Sequence, residues 1–145
     1  MAHVRTQVRD ALKDRLSGLP TTSGNVFKSR GYPITSEKFP ALLIYNGPEA
    51  SEPVDFDDAK DREFDVIVEA GAFAPEDQVD DMLDQIAVEV ENAIEADQTL
   101  GGLAKSTTLT GSEPDVSIDG EMPFGVLALT FTVNYMTEAD PEQSM

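Results

Sequence analysis

Between positions 125 and 136 the chain alternates without a break. Leu127, Leu129, Phe131, Val133 and Tyr135 face one way, and Val126, Ala128, Thr130, Thr132 and Asn134 face the other. A period of two over that length makes a strand with one apolar face, which needs strand partners and a covering layer to be stable in water. A second such strand is expected at 62–73, where Phe64, Val66, Val68 and Ala70 oppose Asp65, Ile67 and Glu69; its one apolar and one mixed face place it mid-sheet. The run Phe39-Pro40-Ala41-Leu42-Leu43-Ile44-Tyr45 reads as a strand buried on both faces, and 26–30 as a shorter one. Residues 105–110 and 115–118 read as one broken strand, interrupted by Gly111 and Pro114 and followed by an Asp119-Gly120 turn.

The covering layer comes from two amphipathic segments. Val4, Val8, Leu12 and Leu16 recur every fourth residue and Ser17-Gly18 ends the pattern, which predicts a helix. Pro75, followed by Glu76 and Asp77, suits the start of a second helix of about 22 residues. Its buried stripe is Val79, Met82, Leu83, Ile86, Val90, Ala93 and Ile94, and Leu100-Gly101-Gly102 stops it. The expected order is α-β-β-β-α-β-β: an α+β fold with two helices packed on one face of a mostly antiparallel four- to five-stranded sheet. Residues 1–137 form a single domain in this reading. Residues 46–61, rich in Gly, Pro and acids, are expected to be a mobile acidic loop, and the polar 138–145 segment a flexible C-terminal tail.

A chain of 145 residues with 40% hydrophobic content fits one domain with a core of its own. The absence of Cys excludes a disulfide framework and thiol chemistry. No apolar run approaches membrane-spanning length, so no membrane partner is expected. The formal charge is −18, and its distribution carries more information than its size. Residues 1–38 hold seven of the ten basic groups and three acids, a net of +4 that leaves −22 for the rest. From position 63 to 104 there is no Lys or Arg. Arg5, Arg9 and Lys13 form a ridge beside the buried seam of the first helix, while Asp80, Asp84 and Glu91 lie on the acidic outer face of the second. Acids one turn apart repel, which makes a cationic partner, including a second copy of the chain, a serious expectation.

Candidate chemistry is sparse. The one histidine, His3, sits at a terminus expected to fray and be solvated, so a Ser-His-Asp arrangement is not supported. Paired carboxylates for glycoside cleavage would want an aromatic-lined cleft, and the chain has no Trp and 7% aromatics. Asp55, Asp57, Asp58 and Asp61 alternate as in calcium loops, but Lys60 stands where such a loop needs Gly, and Val66 where it needs a bidentate Glu. That segment reads as solvated or partner-facing, with at most weak divalent-cation binding, and no cofactor is expected. An acidic chain also opposes specific binding to phosphate backbones.

The succession of the 4–19 helix, Asn25-Val26-Phe27-Lys28-Ser29-Arg30-Gly31-Tyr32-Pro33, the 39–45 run, an acidic loop, Arg62-Glu63-Phe64-Asp65-Val66-Ile67-Val68-Glu69, an acidic helix, Leu100-Gly101-Gly102-Leu103-Ala104 and the closing 126–137 strand resembles the tail terminator proteins of long-tailed bacteriophages and phage-like particles, of the minor tail protein U type. The similarity covers about residues 3 to 137 and rests on the order of all these elements. The resemblance implies a non-enzymatic virion protein: a homo-hexameric ring at the head-proximal end of the tail. Such a ring stops polymerisation of the tail tube protein, joins the head-tail connector or head-closure protein, and lets DNA pass without specific binding. It also implies assembly in the host cytoplasm. Arg5, Arg9, Lys13, Asp55, Asp57, Asp58, Asp61, Asp80, Asp84 and Glu91 are the candidate interface residues. Tail completion and head-closure proteins of the same particles share this size and character. An acidic DNA mimic that occupies a host enzyme's nucleic-acid site is the alternative from another class, and a carboxylate-and-metal hydrolase is a third.

Overall fold

A computed structural model describes residues 2–32, 38–54, 58–117 and 122–145. The first helix, α1 (Val4–Leu16), buries Val4, Val8, Leu12 and Leu16 completely, as its four-residue spacing requires. His3 caps it: Nδ1 accepts from the Arg5 backbone N–H at 3.1 Å. The expected frayed histidine is therefore a held one, because the first N–H groups of a helix lack intrahelical acceptors. The second helix, α2 (Val79–Glu95), is shorter than expected, since the backbone N–H groups of Gln78 and Val79 both turn back to the Pro75 carbonyl and 75–78 forms a separate turn. Its last turn contains no basic residue. Arg15 of α1 supplies the missing cation, donating to the Ala93 carbonyl at 3.4 Å and the Asp97 carboxylate at 3.2 Å, at the negative end of the α2 dipole. Gly101 and Gly102, at φ +73° and +93°, then take the chain through a turn that L side chains resist.

Five strands form one mixed, mostly antiparallel sheet: β1 (Val26–Phe27), β2 (Ala41–Pro53), β3 (Lys60–Phe73), β4 (Ser106–Ser117) and β5 (Phe124–Thr137), in the spatial order β1-β2-β3-β5-β4. Only β1 runs parallel to its neighbour, β2. The alternation read from sequence puts β3 and β5 at the centre. Phe64, Val66, Val68 and Ala70 of β3 and Leu127, Leu129, Phe131, Val133 and Tyr135 of β5 are buried beneath the helices. Among the described residues the opposite face carries no helix. The interrupted strand is continuous: β4 absorbs its irregularity as a register shift between Leu109 and Gly111, and an edge strand tolerates Pro114 because one side of it has no ladder to break.

Two expectations are corrected. Much of the expected mobile loop at 46–61 is paired strand, because β2 runs on to Pro53 and β3 begins at Lys60, with Ser51 opposite Arg62 and Pro53 opposite Lys60. Backbone ladder bonds hold these arms without an apolar face. The 138–145 segment folds back on the domain: Pro141 accepts from the otherwise orphaned Val4 N–H at 3.0 Å, Met136 accepts from Met145 N–H at 2.9 Å, and the Ser144 hydroxyl donates to the Leu103 carbonyl at 3.0 Å. It thus satisfies one of the free donors at the start of α1. The Asp119-Gly120 turn expected from sequence lies outside the described residues.

A single extra residue in β2, between Asn46 and Glu49, shifts the register and reverses which side chains face the helices. Glu49, opposite Phe64, is thereby turned inward. Its carboxylate accepts from Arg5 of α1 at 2.6 Å and from Arg62 of β3 at 3.3 Å, and it accepts a short hydrogen bond from the Tyr135 hydroxyl of β5. Arg62 also donates to Thr137 Oγ1 at 2.9 Å. With side-chain exposures of 9% for Arg62 and 13% for Glu49, the pair is nearly desolvated. Substituting Glu49→Ala leaves a buried guanidinium without its partner. The expected cost is roughly 3–5 kcal/mol, read as a lowered urea midpoint; an unchanged midpoint would show that the carboxylate does not hold α1 to the hairpin.

Candidate assembly surface

The structure separates the basic ridge into unlike parts. Arg5 is consumed internally by Glu49. Arg9 donates to Thr6 Oγ1 at 3.2 Å, while its Nε is buried without a partner. Lys13 is exposed and makes no ion pair with any described residue. Next to the ridge, Lys28 pairs with Asp10. The positive charge of the ridge left without a carboxylate among the described residues is thus Arg9, half-buried, and Lys13, exposed, two of the three cations that the helical spacing picks out.

The acidic candidates also divide. Asp80 and Asp84 are exposed on α2 and unpaired among the described residues, and Glu91 is half-buried on the side of α2 next to β4. Asp61 lies on β3 and pairs with Lys105 at 3.7 Å. Asp58 is exposed, at φ 58°. Asp55 and Asp57 lie outside the described residues. Lys60 and Asp61 are committed to strand pairing, and among the described residues no group of three or more His, Asp or Glu is placed to hold a metal ion.

The helix-free face of the sheet is mixed, with acids and hydroxyls beside apolar side chains such as Ile67 and Ala128. Thr132 of β5 donates to Asp65 of β3 at 2.9 Å and touches Thr110 of β4 at 3.0 Å. Tyr45 donates to Glu69 at 2.9 Å, with the Arg30 guanidinium 4.9 Å above its ring. At one end this face closes in aromatics: Phe39, Phe73 and Phe124 lie with ring centroids 4.8–5.3 Å apart. Tyr32 joins them, packed so tightly over Gly71 that a Cβ there would come within 2.6 Å of its ring. Phe39, Pro40, Phe73, Met82 and Met122 line a groove of about 420 Å³, with Phe73 41% and Met122 47% exposed. This apolar end was not among the expected site residues. The signal in the sequence is the placement of an aromatic, Phe73, on the mixed face of its strand.

His3 is tied into the start of α1. Its Nδ1 is occupied as the α1 cap, and burial, then the charges of Arg5 and Arg62, hold its pKa below the ordinary value against the opposing pull of Glu49. No described helix is long and apolar enough to cross a membrane. These features define an α+β domain whose chemistry lies on extended charged and apolar surfaces, as in a subunit that works by contact with other chains. The model of the phage minor tail protein U family matches residues 2–135, and the chain belongs to that family. It is accordingly a structural protein of the phage tail, located in the virion tail and in contact with other tail or head components. No curated protein matches the chain.

The tyrosines report on how firmly these surfaces are set. Burial first, then the hydrogen bond to Glu69, pushes Tyr45 up to about 12. Burial, with Glu69 and Glu49 respectively, raises Tyr32 and Tyr135 further. A raised folded-state pKa contributes stability that is whole below the unfolded value near 10 and is lost as pH climbs through the folded value. Absorbance at 295 nm should therefore show no phenolate step near pH 10 and should rise only with alkaline unfolding. A step near pH 10 in folded protein would contradict these placements.

Proposed function

We propose that the protein is the tail terminator of its particle: six copies form a ring on the head-proximal end of the tail tube, halt tube growth and present a surface to the head connector or head-closure protein. The observation that carries this reading is the pair of unlike patches on one protomer of a phage tail family. Half-buried Arg9 and exposed Lys13 lie on α1, and exposed Asp80 and Asp84 lie on α2. A ring needs a heterologous contact, in which one patch meets a different, complementary patch on the next copy. Like-charge repulsion between chains of −18 opposes this contact in solution, which suits a subunit that assembles only on its template. A negatively charged lumen lets DNA through without holding its phosphates. The role so assigned is structural, with no catalytic step.

The test adds purified protein to polymerising tail tube protein and measures tube length by electron microscopy. Wild type is expected to cap tubes and stop elongation. The double variant Arg9→Glu/Lys13→Glu should keep its circular dichroism spectrum but need at least roughly tenfold more protein to cap, because each contact turns from attraction to repulsion. Asp80→Lys/Asp84→Lys copies mixed with that variant should recover part of the lost capping. The effect should shrink as salt rises, since exposed charges are screened beyond about 8–10 Å. Tubes that grow equally with and without the protein would overturn the proposal.

A further inference from the structure

Between the C-terminal half of α2 and β4 lies a smaller cavity, of about 150 Å³, edged by carboxylates as well as apolar side chains. Glu91 and Glu95, one helical turn apart, stand on its α2 side, with Gln98 just beyond. Leu109 and Phe131, paired across β4 and β5, form an apolar wall. Thr107 also lines it, and it is 98% buried: it sits opposite Val133, on the helix-facing side of the sheet, and its hydroxyl has no hydrogen-bond partner. A buried hydroxyl without a partner costs free energy in the isolated chain, so its position against a pocket edged by two carboxylates points to a missing ligand.

The shape and chemistry select among cations. A volume of 150 Å³ is several times the roughly 30 Å³ of one liquid water, and the wall is hydrocarbon, so the cavity suits a chain of methylenes ending in a charge better than a bare ion. Glu95 already accepts from the Gln98 amide at 2.8 Å, leaving one carboxylate oxygen of Glu95, the Glu91 carboxylate and the Thr107 hydroxyl as acceptors. Three acceptor groups match the three donors of a lysine ammonium. Among the described lysines, Lys13, Lys38 and Lys60 are exposed and without an ion pair, and of these Lys13 lies on the α1 ridge.

We propose that this cavity is the socket for the Lys13 side chain of a second copy of the chain. The inference rests on the ring reading above and gives its contact an address: Lys13 enters between α2 and β4, its stem along Leu109 and Phe131 and its ammonium among Glu91, Glu95 and Thr107. Asp80 and Asp84, nearer the start of α2, then serve Arg9 and long-range attraction.

The test uses full-length protein, an equal mixture of ¹⁵N-labelled and unlabelled copies, assembled on tail tubes and treated with a carbodiimide, which joins an amine to a carboxylate in direct contact. Crosslinks from Lys13 to Glu91 or Glu95 that pair labelled with unlabelled peptide are expected. Thr107→Val removes the hydroxyl and leaves the charge untouched. It should raise the melting temperature of the isolated protein, because an unsatisfied polar group is gone, and yet weaken assembly roughly tenfold. A merely structural threonine would not move the two readouts in opposite directions. Rings that form normally with Thr107→Val, or Lys13 crosslinks that map only to other acids, would overturn the socket while leaving the ring standing. Failure of wild type to cap tubes would instead remove the ring reading, and the socket with it. A rise in melting temperature on adding millimolar magnesium alone, abolished by Glu91→Gln, would assign the cavity to a metal ion and also overturn the proposal.

Discussion

One inward-turned carboxylate sets much of the remaining geometry. Glu49 reaches the helix side of the sheet only because β2 carries one extra residue before it, which inverts the facing of every later position in that strand. From there it holds Arg5 of α1, Arg62 of β3 and Tyr135 of β5 at a single point. Burial of charge is costly unless the partners are in place, so this junction is all-or-none: either α1, the hairpin and the closing strand meet there together, or each leaves a desolvated group behind. The 138–145 segment completes the same end by accepting from the first N–H of α1. The long hairpin, acidic along much of its length, is thereby fixed to the domain.

That junction also shapes the outer electrostatics. By drawing Arg5 inward it shortens the positive surface of α1 to Arg9 and Lys13, and Arg15 is likewise spent at the negative end of α2. The acids of α2 receive no such internal compensation along most of their length, since positions 63–104 contain no Lys or Arg. The domain is therefore balanced where its elements join and unbalanced on its outside, which is the distribution a subunit needs if its partners are to complete it. The mixed, helix-free face of the sheet and its aromatic end give two further surfaces of different character for the other tail or head components this family meets.

Periodicity made the central architecture legible. The alternation in β3 and β5, and the four-residue spacing in α1, identify elements whose buried face is made of their own residues, and the structure buries those residues. The same method missed the hairpin because neither face of 46–53 is apolar and the extra residue breaks its period. It missed the fold-back of 138–145 because that segment is held by backbone carbonyls and amides, which every residue type possesses. The aromatic cluster gathers Phe39, Phe73 and Phe124 from distant positions, and only the topology brings them together. Of the candidate surface, helical geometry placed Lys13, Asp80 and Asp84 outward, but could not show that Arg5 has an internal partner, nor that Glu91 edges a cavity closed by the later strand β4.

The family fixes the protein in the phage tail, and its proposed station there is a matter of position and symmetry. The most direct measurement is cryo-electron microscopy of intact particles produced with an epitope-tagged copy of this chain and decorated with the matching antibody fragment. Six copies in one ring at the junction of head and tail tube is the expected result. Decoration at the distal tip, or repeated along the length of the tube, would contradict the account.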